Sequence, residues 1–590
     1  MAVEKLIVDH IDTWTTALQT RSTAGRGRSG KIDLYGIKKL RELILELAVR
    51  GKLVPQDPND EPASVLLERI AAEKAELVKQ GKIKKPKPLP EISEEEKPFE
   101  LPEGWEWARL GQCAEISGGK RLPASHQYSI SSTPYIYIRV TDMKNGTIKN
   151  DDLCYIKKET FELIKKYTIS EHDLYITIAG TIGEVGIVPS FFNGMNLTEN
   201  AAKISNISVD KMWLKDTLSS PFSKKYFFNK TNQLAQPKLA LNQINNSIIP
   251  IPPLLEQLKI RNRVEALLGL CDQLEQHSLT SLDAHQQLVE TLLTTLTDSQ
   301  NAEELAENWA RISEHFDTLF TTEASIDALK QTILQLAVMG KLVPQDPNDE
   351  PASELLKRIA QEKAQLVKDG KIKKQKPLPP ISDEEKPFEL PERWEWCLFE
   401  DVVDIQSGIT KGRNLANRKL ISIPYLRVAN VQRGYLDLSE VKEIDIPEEE
   451  KDKYHVIKGD LLITEGGDWD TVGRTTVWCH DWYIANQNHV FKGRIIGQDI
   501  DPYWLETYMN SPYSRDYFAS ASKQTTNLAS INKTQLRGCP VAIPPSSEAE
   551  KIMLKLNDFN ELCEKLKLQI QSAQQIHLHL ADALTDAAIN

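Results

Sequence analysis

Two groups of polar residues follow short apolar runs, and their side chains are of the types that bind nucleic-acid bases. The strings PYIYIRVTDMKNG (134–146) and PYLRVANVQRG (424–434) each place them directly after a run typical of a strand. Arg, Asn and Gln form bidentate hydrogen bonds with guanine and adenine edges. The candidate base-contacting residues are Arg139, Thr141, Lys144, Asn145, Arg427, Asn430, Gln432 and Arg433. The alternative interpretation is a solvated hairpin loop.

Further polar residues could contact the phosphate backbone or lie at a helix tip near DNA. Lys120, Arg121, Lys411 and Arg413 follow the SGGK and SGITK turns and are candidates for phosphate contacts, with ordinary surface cations as the alternative. The third group precedes the strings IPIPP and AIPP and comprises Asn242, Gln243, Asn532 and Lys533. For its asparagines the alternative is helix capping.

Motifs for catalysis are mostly absent from the sequence. GTIGEVG (180–186) has neither phosphate-loop nor dinucleotide spacing, so it and its counterpart EGGDWDTVGRT (465–475) are predicted to be strand–turn–strand. There is no GxSxG, no HExxH and no helicase-type ATP motif, and DPYW (501–504) lacks the second proline of an adenine methyltransferase loop. A nuclease site made of three carboxylates remains an alternative, because Asp and Glu are abundant and their spacing does not exclude it. We expect no catalytic or metal-binding residues in this chain.

Charge and cysteine content favour particular classes of protein. The net charge is −12, but residues 108–253 carry a net +5 and residues 397–545 a net −3. The first segment therefore has an electrostatic footprint suited to phosphates, whereas the second must cluster its cations. Seven cysteines without a CxxC pair, no long apolar run and no signal peptide lead us to expect a cytoplasmic protein with free thiols, outside any membrane.

The chain contains a long internal repeat. Residues 51–107 and 340–396 share 48 of 57 positions, and the string GKLVPQDPNDEPAS occurs in both without a change. Each copy is predicted to form a helix (40–50 in the first), a turn and a second helix (about 62–80). The first copy also carries a basic, Gly/Ser-rich insert at 20–31, which is predicted to be flexible.

Each copy ends in a long apolar-patterned segment. From Glu548 to Ala588 there is neither Pro nor Gly, and an apolar seam repeats every seven residues. The predicted seam positions are Ile552, Leu556, Phe559, Cys563, Leu566, Ile570, Ala573, His577, Leu580 and Leu584, and in the first copy Ile260, Val264, Leu267, Cys271, Leu274, His285, Leu288 and Leu292. Each predicted helix has about 40 residues and a length of about 60 Å. We expect the two helices to pack against each other.

The sequence therefore predicts an α+β protein with internal pseudo-two-fold duplication, in which long helices separate two mixed α/β domains. The predicted segments are a helical conserved region with linker (1–107), a variable domain (108–253), a long helix (254–300), a central conserved helical region with linker that repeats the first (301–396), a second variable domain (397–545) and a C-terminal long helix (546–590).

This duplicated arrangement resembles the specificity (S) subunit of Type I restriction–modification enzymes, in the branch with long N-terminal and central conserved regions. The similarity covers essentially the whole chain. Its motifs are the WEW strings followed by SGGK and SGITK, the GDLLIT-type strand, and the pair IPIPPLLEQLKI and AIPPSSEAEKI, which resemble the boundaries of target recognition domains.

The resemblance implies that each variable domain reads one half of a bipartite, asymmetric double-stranded DNA site, and that the helices form an antiparallel coiled coil between them. It also implies two methyltransferase (M) subunits that carry S-adenosylmethionine and methylate adenine N6, and restriction (R) subunits that use ATP and Mg²⁺. No cofactor is expected in this chain. Two alternatives stay open: a coiled-coil adaptor that binds proteins, and a divergent DNA methyltransferase or nuclease.

Overall fold

The computed structural model describes residues 3–21, 31–81, 88–231, 237–467, 471–525 and 528–589. They form two compact units, one from the described residues of 1–22, 30–280 and 573–590 and the other from 281–572. Most of the predicted flexible insert (22–30) and of the first basic linker (82–87) lies outside the described residues. No helix in the described part of the chain is both long and apolar enough to cross a membrane.

Each unit begins with helices that bury one apolar face. In the first unit they are Val3–Asp9, Ile11–Thr16, Tyr35–Val49 and Ala63–Lys79, with Gln19–Arg21 paired to Lys31–Asp33; in the second they are Ala302–Glu314, Phe316–Leu319, Glu323–Val338 and Ala352–Lys368. In the helix Tyr35–Val49, Leu40, Leu43, Ile44 and Leu47 are buried at the spacing of one helix face. Both predicted helices of the repeat are confirmed, and the first begins at Tyr35.

The first variable domain is mixed α/β, as predicted. Its strands are Glu106–Arg109, Glu115–Gly118, Tyr137–Ile138, Met143–Lys144, Thr147–Ile148, Thr168–Ile169, Leu174–Thr177, Val185–Ile187, Met195–Leu197, Ala201–Ser205 and Ile248–Ile251. Its α-helices are Leu110–Cys113, Lys158–Ile164, Lys211–Ser219, Pro221–Asn229 and Leu241–Asn245, and its 3-10 turns, with one in the preceding linker, are Glu94–Glu96, Val140–Asp142, Lys165–Tyr167 and Ser190–Phe192.

The second variable domain has the same classes of element. Its strands are Glu395–Leu398, Val403–Gln406, Leu420–Leu426, Lys442–Pro447, Leu461–Thr464, Gly466–Gly467, Thr475–Val477, Ala485–Asn486, Val490–Ile495, Lys523–Thr525, Leu528–Ser530 and Pro540–Ile543. Its α-helices are Phe399–Val402, Lys451–Tyr454, Pro502–Met509, Pro512–Ala521 and Lys533–Arg537, and its 3-10 turns, again with one in the preceding linker, are Asp383–Glu385, Val428–Asn430 and Glu448–Glu450.

The two domains share one sheet topology although their sequences differ. The first has a four-stranded antiparallel sheet in the order Val185–Ile187, Leu174–Thr177, Ala201–Ser205, Glu115–Gly118; the second has the order Thr475–Val477, Leu461–Thr464, Val490–Ile495, Val403–Gln406. In each sheet the first two strands flank a glycine-containing turn, which confirms the predicted strand–turn–strand at 180–186. Residues 468–470 of the second turn lie outside the described residues.

The first and last strands of each variable domain pair with each other. Glu106–Arg109 is antiparallel to Ile248–Ile251, and Glu395–Leu398 is antiparallel to Pro540–Ile543. The chain thus leaves each scaffold and returns to it at one place. A domain attached in this way can change without moving its attachment. The boundaries of the six predicted segments themselves stay predictions.

The two long helices are Leu254–Asp298 and Ser546–Ile589, of 45 and 44 residues. Each compact unit contains the N-terminal part of one and the C-terminal part of the other, with the division at Thr280 and at Ser572. This is the arrangement of antiparallel helices. In the second unit, Leu293 and Leu296 share a hydrophobic cluster with Ile552.

Both long helices shift their buried seam by one residue, which the strict seven-residue pattern did not predict. The predicted positions Ile260, Val264, Leu267, Cys271, Ile552, Leu556 and Cys563 are buried. Further along, however, Leu288 is 51% exposed and Val289 is buried, and Leu580 is 43% exposed and Ala581 is buried. A straight helix drifts by about 20° per heptad, so about five heptads accumulate one residue.

The repeated string GKLVPQDPNDEPAS forms the same docked turn in both units. Gln56 Nε2 donates to Glu256 Oε1 at 3.1 Å, and Gln345 Nε2 donates to Glu548 Oε1 at 2.8 Å. Each glutamate is buried in the first turn of a long helix, and Glu256 also accepts from Trp105 Nε1 at 3.0 Å. Burial raises the pKa of both carboxyl groups, and these hydrogen bonds partly offset the effect.

Packing also accounts for the glycine at the start of the string. Gly51 and Gly340 have φ of +67° and +69°. A Cβ atom there would lie 2.4 Å from Pro102 Cγ and 2.5 Å from Pro391 Cγ. Both the backbone conformation and the lack of space require glycine. Part of the identity between the copies therefore follows from contacts within the chain.

One difference between the copies places an arginine where glycine would be expected. Gly104 has φ of +82° and its counterpart Arg393 has φ of +78°. The same backbone bond is made in both copies, because Ala63 N donates to Gly104 O and Ala352 N donates to Arg393 O. The left-handed conformation costs an L-residue about 1–2 kcal/mol.

At Arg393 we expect glycine to be more stabilising than alanine. Arg393→Gly and Arg393→Ala both lose the hydrogen bond to Asp349 O. They differ only in backbone preference, so the free energy of unfolding should be higher for the glycine variant by about 1 kcal/mol. At the exposed helical position Lys357 the same pair should have the opposite order. Urea unfolding measures both, and equal stability of the Arg393 variants would contradict the argument.

Candidate nucleic-acid interface

Three of the predicted residues of the first variable domain line one groove. Arg121, Arg139 and Thr141 surround a cavity of ≈ 810 Å³ together with Tyr137 and Glu199. Glu199 Oε2 accepts from the Tyr137 hydroxyl at 3.1 Å, and its Oε1 lies 3.7 Å from Arg121 Nε. The Arg121 side chain is 84% exposed, so its charge reaches solvent at the groove. Within this groove, the exposed Arg121 guanidinium is the group that can bind a phosphate oxygen.

Two further lysines contribute cations in this domain. Lys120 is exposed, and its Nζ lies 5.7 Å from the centre of the Tyr167 ring. Lys238 was not predicted; it is exposed, and its Nζ donates to the backbone oxygen of Glu199 at 3.2 Å. A single lysine in the string PKLA (237–240) carries no motif, so only the fold places it beside Glu199.

Lys144 and Asn145 lie at the tip of a tight hairpin. Met143–Lys144 pairs with Thr147–Ile148, and the connecting residues Asn145 and Gly146 have φ of 55° and 71°. Positive φ at both central residues is the type I′ turn that Asn-Gly favours. The hairpin conformation named as the alternative is therefore present, and it leaves both predicted side chains exposed.

Arg139 and Arg427 are not free side chains. Arg139 Nη2 donates to Asp142 Oδ1 at 2.8 Å and to Asp152 Oδ2 at 3.2 Å, and Arg427 Nη2 donates to Glu440 Oε2 at 2.9 Å. The bond to Asp142 raises the pKa of Arg139, and the bond from Arg427 lowers the pKa of Glu440. Each arginine is thus held within its own loop.

For Asn430 the sequence-based expectation of a base contact needs correction. The residue is 3% exposed, and its Nδ2 donates to the backbone oxygens of Asp437 and Glu440 at 2.8 and 3.0 Å. Its Oδ1 accepts from Arg427 N at 2.9 Å. Because its amide is used and buried, it shapes the loop and does not face a ligand.

The other predicted loop residues of the second domain also have partners. Gln432 Nε2 donates to Ala429 O at 2.9 Å, and its Oε1 accepts from Arg474 Nη1 at 2.7 Å. Arg433 is half-buried beside it. Arg474 is a further cation of this loop region, which the strand–turn–strand interpretation of 465–475 did not include among the candidates.

The cations after SGITK are paired with a run of three glutamates. Arg413 Nη1 donates to Glu450 Oε2 at 2.7 Å, and Arg418, which was not predicted, contacts Glu449 Oε1 at 2.5 Å and Glu450 Oε1 at 3.1 Å. Hydrogen bonding from Arg413 lowers the pKa of Glu450. Lys411 is exposed, with Nζ 5.2 Å from the centre of the Tyr425 ring. The four cations of KGRNLANRK (411–419) would have identified Arg418 from the sequence.

The predicted helix-tip residues occupy different positions in the two domains. Asn532 is the N-cap of the helix Lys533–Arg537, and its Oδ1 accepts from Gln535 N, so the capping alternative holds there. Asn242 and Gln243 lie inside the helix Leu241–Asn245, whose N-cap is Ala240. Capping therefore does not explain Asn242.

Lys533 belongs to another basic cavity of the second unit. It lines a space of ≈ 1060 Å³ with Arg537, Lys373 and Glu400. Burial lowers the pKa of the Lys533 ammonium group. Arg537 Nε donates to Glu400 Oε2 at 2.6 Å, so the charge of Arg537 is balanced by a carboxylate that lines the same cavity. Within the described residues, no group of three or more His, Cys, Asp and Glu side chains is placed to hold a metal ion.

Comparison with known proteins gives one consistent result. The family model for the Type I restriction modification DNA specificity domain matches twice, at residues 102–284 and 391–573. The chain is 49% identical to the Type I restriction enzyme EcoAI specificity subunit of Escherichia coli over 622 aligned positions, and 49% identical to the EcoEI specificity subunit of Escherichia coli over 603; both alignments cover 100% of each chain.

A solved structure from a study of complex assembly and conformational transition of the type I R-M system covers 84% of this chain and 99% of its own. Its identity is 17% and its TM-score 0.45. The family model matches more than half of the chain in two copies, one per variable domain, and the two relatives align with it end to end. The chain therefore belongs to the family of Type I restriction enzyme specificity subunits.

Proposed function

We propose that this chain is the non-catalytic DNA-reading subunit of a Type I restriction–modification complex. Each variable domain reads one half of a bipartite, asymmetric double-stranded DNA site. The main observation in support is that the two variable domains have the same fold but different polar residues at the tip of one loop. The domains share sheet order and attachment strands. At equivalent positions, however, the first has Lys144–Asn145 and the second has Gln432–Arg433.

The repeated string supports two equivalent partner surfaces. Besides its docked glycine and glutamine, it exposes Pro55, Pro58 and Asn59 in the first unit and Pro344, Pro347 and Asn348 in the second. Asp57 and Asp346 accept the same backbone bond, from Asn59 N and Asn348 N. Packing within the chain does not require exposed side chains to be identical. We infer that each surface binds one of two identical M subunits.

The chemistry of the complex belongs to the partners in this proposal. The M subunits carry S-adenosylmethionine and methylate adenine N6, and the R subunits use ATP and Mg²⁺ for restriction. The seven cysteines of this chain are all unpaired, which supports action in the cytoplasm, where thiols stay reduced.

The test is methylome sequencing of a host that expresses this chain with its M subunits, together with band shifts on duplex DNA. The proposal expects one bipartite, asymmetric motif with methylated adenine, and DNA binding by the complex. If the complex binds no DNA, a protein-binding adaptor is the better description. Retention of labelled S-adenosylmethionine by the purified chain alone would contradict the non-catalytic role.

A further inference from the structure

The loop that follows the strand Tyr137–Ile138 in the first variable domain and Leu420–Leu426 in the second is built on one frame. It runs from Arg139 to Asp152 in the first domain and from Arg427 to Glu440 in the second, so both loops have the same length. Only three of the fourteen positions are identical: the arginine, the valine after it and the tip glycine. The frame is thus conserved between copies that otherwise differ.

The bonds that make this frame are equivalent in the two domains. Arg139 Nη2 donates to both the backbone oxygen and Oδ2 of Asp152, and Arg427 Nη2 donates to both the backbone oxygen and Oε2 of Glu440. At the other end of the turn, Arg139 N donates to Asp142 Oδ2 at 2.7 Å. The second domain forms the same bond through its buried asparagine. One arginine therefore joins the start of each loop to its end.

The hairpin between these ends is held in the same way. Lys149 N donates to Asp142 O, and Asp437 N donates to Asn430 O, both at 2.8 Å. The tip glycines Gly146 and Gly434 have φ of 71° and 76°. The turn at the tip itself differs, because Asn145 has φ of 55° whereas its counterpart Arg433 does not have a positive φ.

An arginine held in this way is a poor base-reading group. To contact a guanine edge, Arg139 would have to release Asp152 and bring that carboxylate close to the DNA, where it would repel phosphates. Asp152 and Glu440 both retain an acidic group at a position where most neighbours differ, which fits a structural bond and not a sequence-reading one.

We propose that Arg139 and Arg427 are positioning residues that fix the loop, and that base discrimination in the first domain lies in the exposed tip residues Lys144 and Asn145. This rests on the proposed function. The loop is then an exchangeable reading element on a constant frame, and its tip can be changed without changing its support.

Three variants in the first domain test the proposal: Arg139→Ala, Asp152→Ala and the tip exchange Lys144→Gln/Asn145→Asp, since aspartate tolerates the positive φ of position 145 as asparagine does. Each is co-expressed with the M subunits, and the purified complex selects from a duplex library that is randomised in the half-site of the first domain. Arg139→Ala and Asp152→Ala should weaken binding to all duplexes alike, with base preference unchanged within about twofold. The tip exchange should change preference at one or more base pairs by roughly fivefold or more.

The carboxylate variant separates the two roles of the arginine. Asp152→Ala removes one of the two carboxylates that hold Arg139, the other being Asp142. If Arg139 read a base, this variant would tighten binding, and Arg139→Ala would relax preference at one base pair only; either result would overturn the proposal. The double variant should bind no worse than Arg139→Ala, because Arg139→Ala already removes the bond to Asp152. If the alanine variant unfolds, Arg139→Lys replaces it in the test. This variant should bind more tightly than Arg139→Ala and less tightly than the wild type.

The second variable domain provides the internal reference. Its half-site preference should be unaffected by every change in the first. A wild-type complex without preference in either half-site would contradict the proposed function itself. A wild-type complex with preference, combined with a base-specific effect of Arg139→Ala, would contradict only the positioning role.

Discussion

Exchange of the first variable domain for that of another family member is expected to change one half of the methylated DNA site and leave the other half unchanged. Each mismatched base pair costs a specific protein–DNA complex about 1–3 kcal/mol, so the original half-site should lose essentially all methylation. The structure places the junctions before Glu106 and after Ile251, so that the paired first and last strands move together. Cutting at 108 and 253, the predicted boundaries, would divide that pair.

Methylome sequencing reads both halves of the site at once. The reciprocal exchange of Glu395–Ile543 is the matched control and should change the other half only. The exchanged domain must keep an arginine at position 109. Arg109 is buried, and its Nη1 donates to Glu96 Oε1 at 2.9 Å in the linker before the domain. If both half-sites changed, or neither did, the modular interpretation would be wrong.

The second large effect is expected from Glu449→Gln/Glu450→Gln, which should strengthen DNA binding by the complex. Arg413 and Arg418 are ion-paired with these carboxylates in the wild-type protein. Each cation that binds a phosphate instead displaces about 0.9 counterion from the DNA. Affinity should rise roughly tenfold per added contact at ~0.1 M salt, and the salt dependence should become steeper by about 0.9 per contact. Fluorescence anisotropy over a salt titration measures both quantities.

The control is a pair of glutamates on the second long helix. Glu550→Gln/Glu561→Gln removes the same net charge from exposed positions outside the variable domains, and should leave the salt slope unchanged. Weaker binding by the Glu449→Gln/Glu450→Gln variant would show that the carboxylates hold the arginines in a binding-ready arrangement, contrary to the expectation.

The glutamate run also accounts for a feature that composition alone left unexplained. The second variable domain has a net charge of −3, yet its SGITK loop carries four cations. Glu448 contacts Lys419 at 2.6 Å, in addition to the pairs of Arg413 and Arg418. The excess negative charge is thus partly a local counterweight to the cations that the sequence predicted to bind phosphates.

Most of the architecture could be predicted from the sequence because it is repeated there. The duplication predicts two similar units, and the run without Pro or Gly predicts the second long helix. The amphipathic strings WLKDTLSSPFSKKYFF (213–228) and PYWLETYMNSPYSRDYF (502–518) are typical of short helices, and each forms two helices that are separated at Ser-Pro. These features depend on local spacing and on Pro, Gly and Ser chemistry, which a sequence displays directly.

The candidate site was harder to predict from the sequence, because the type of a residue does not show which partner its side chain will bind. Arg139 and Asn145 are both polar loop residues in the sequence, but the first is held by carboxylates and the second is exposed at a turn. Asn430 has the chemistry of an adenine-reading residue and is buried. Lys238 has no motif and contacts Glu199 because its segment passes beside that residue.

By itself, the sequence determined the duplication, the order of elements and the family, since these reside in repeated strings and local periodicity. Only the tertiary structure decided which polar side chains form the frame and which face outward, because hydrogen bonds such as that from Arg139 to Asp152 join residues thirteen positions apart. It also decided the one-residue shift of the helix seams. That shift comes from the accumulated difference between 3.6 and 3.5 residues per turn, which a short window of sequence does not contain.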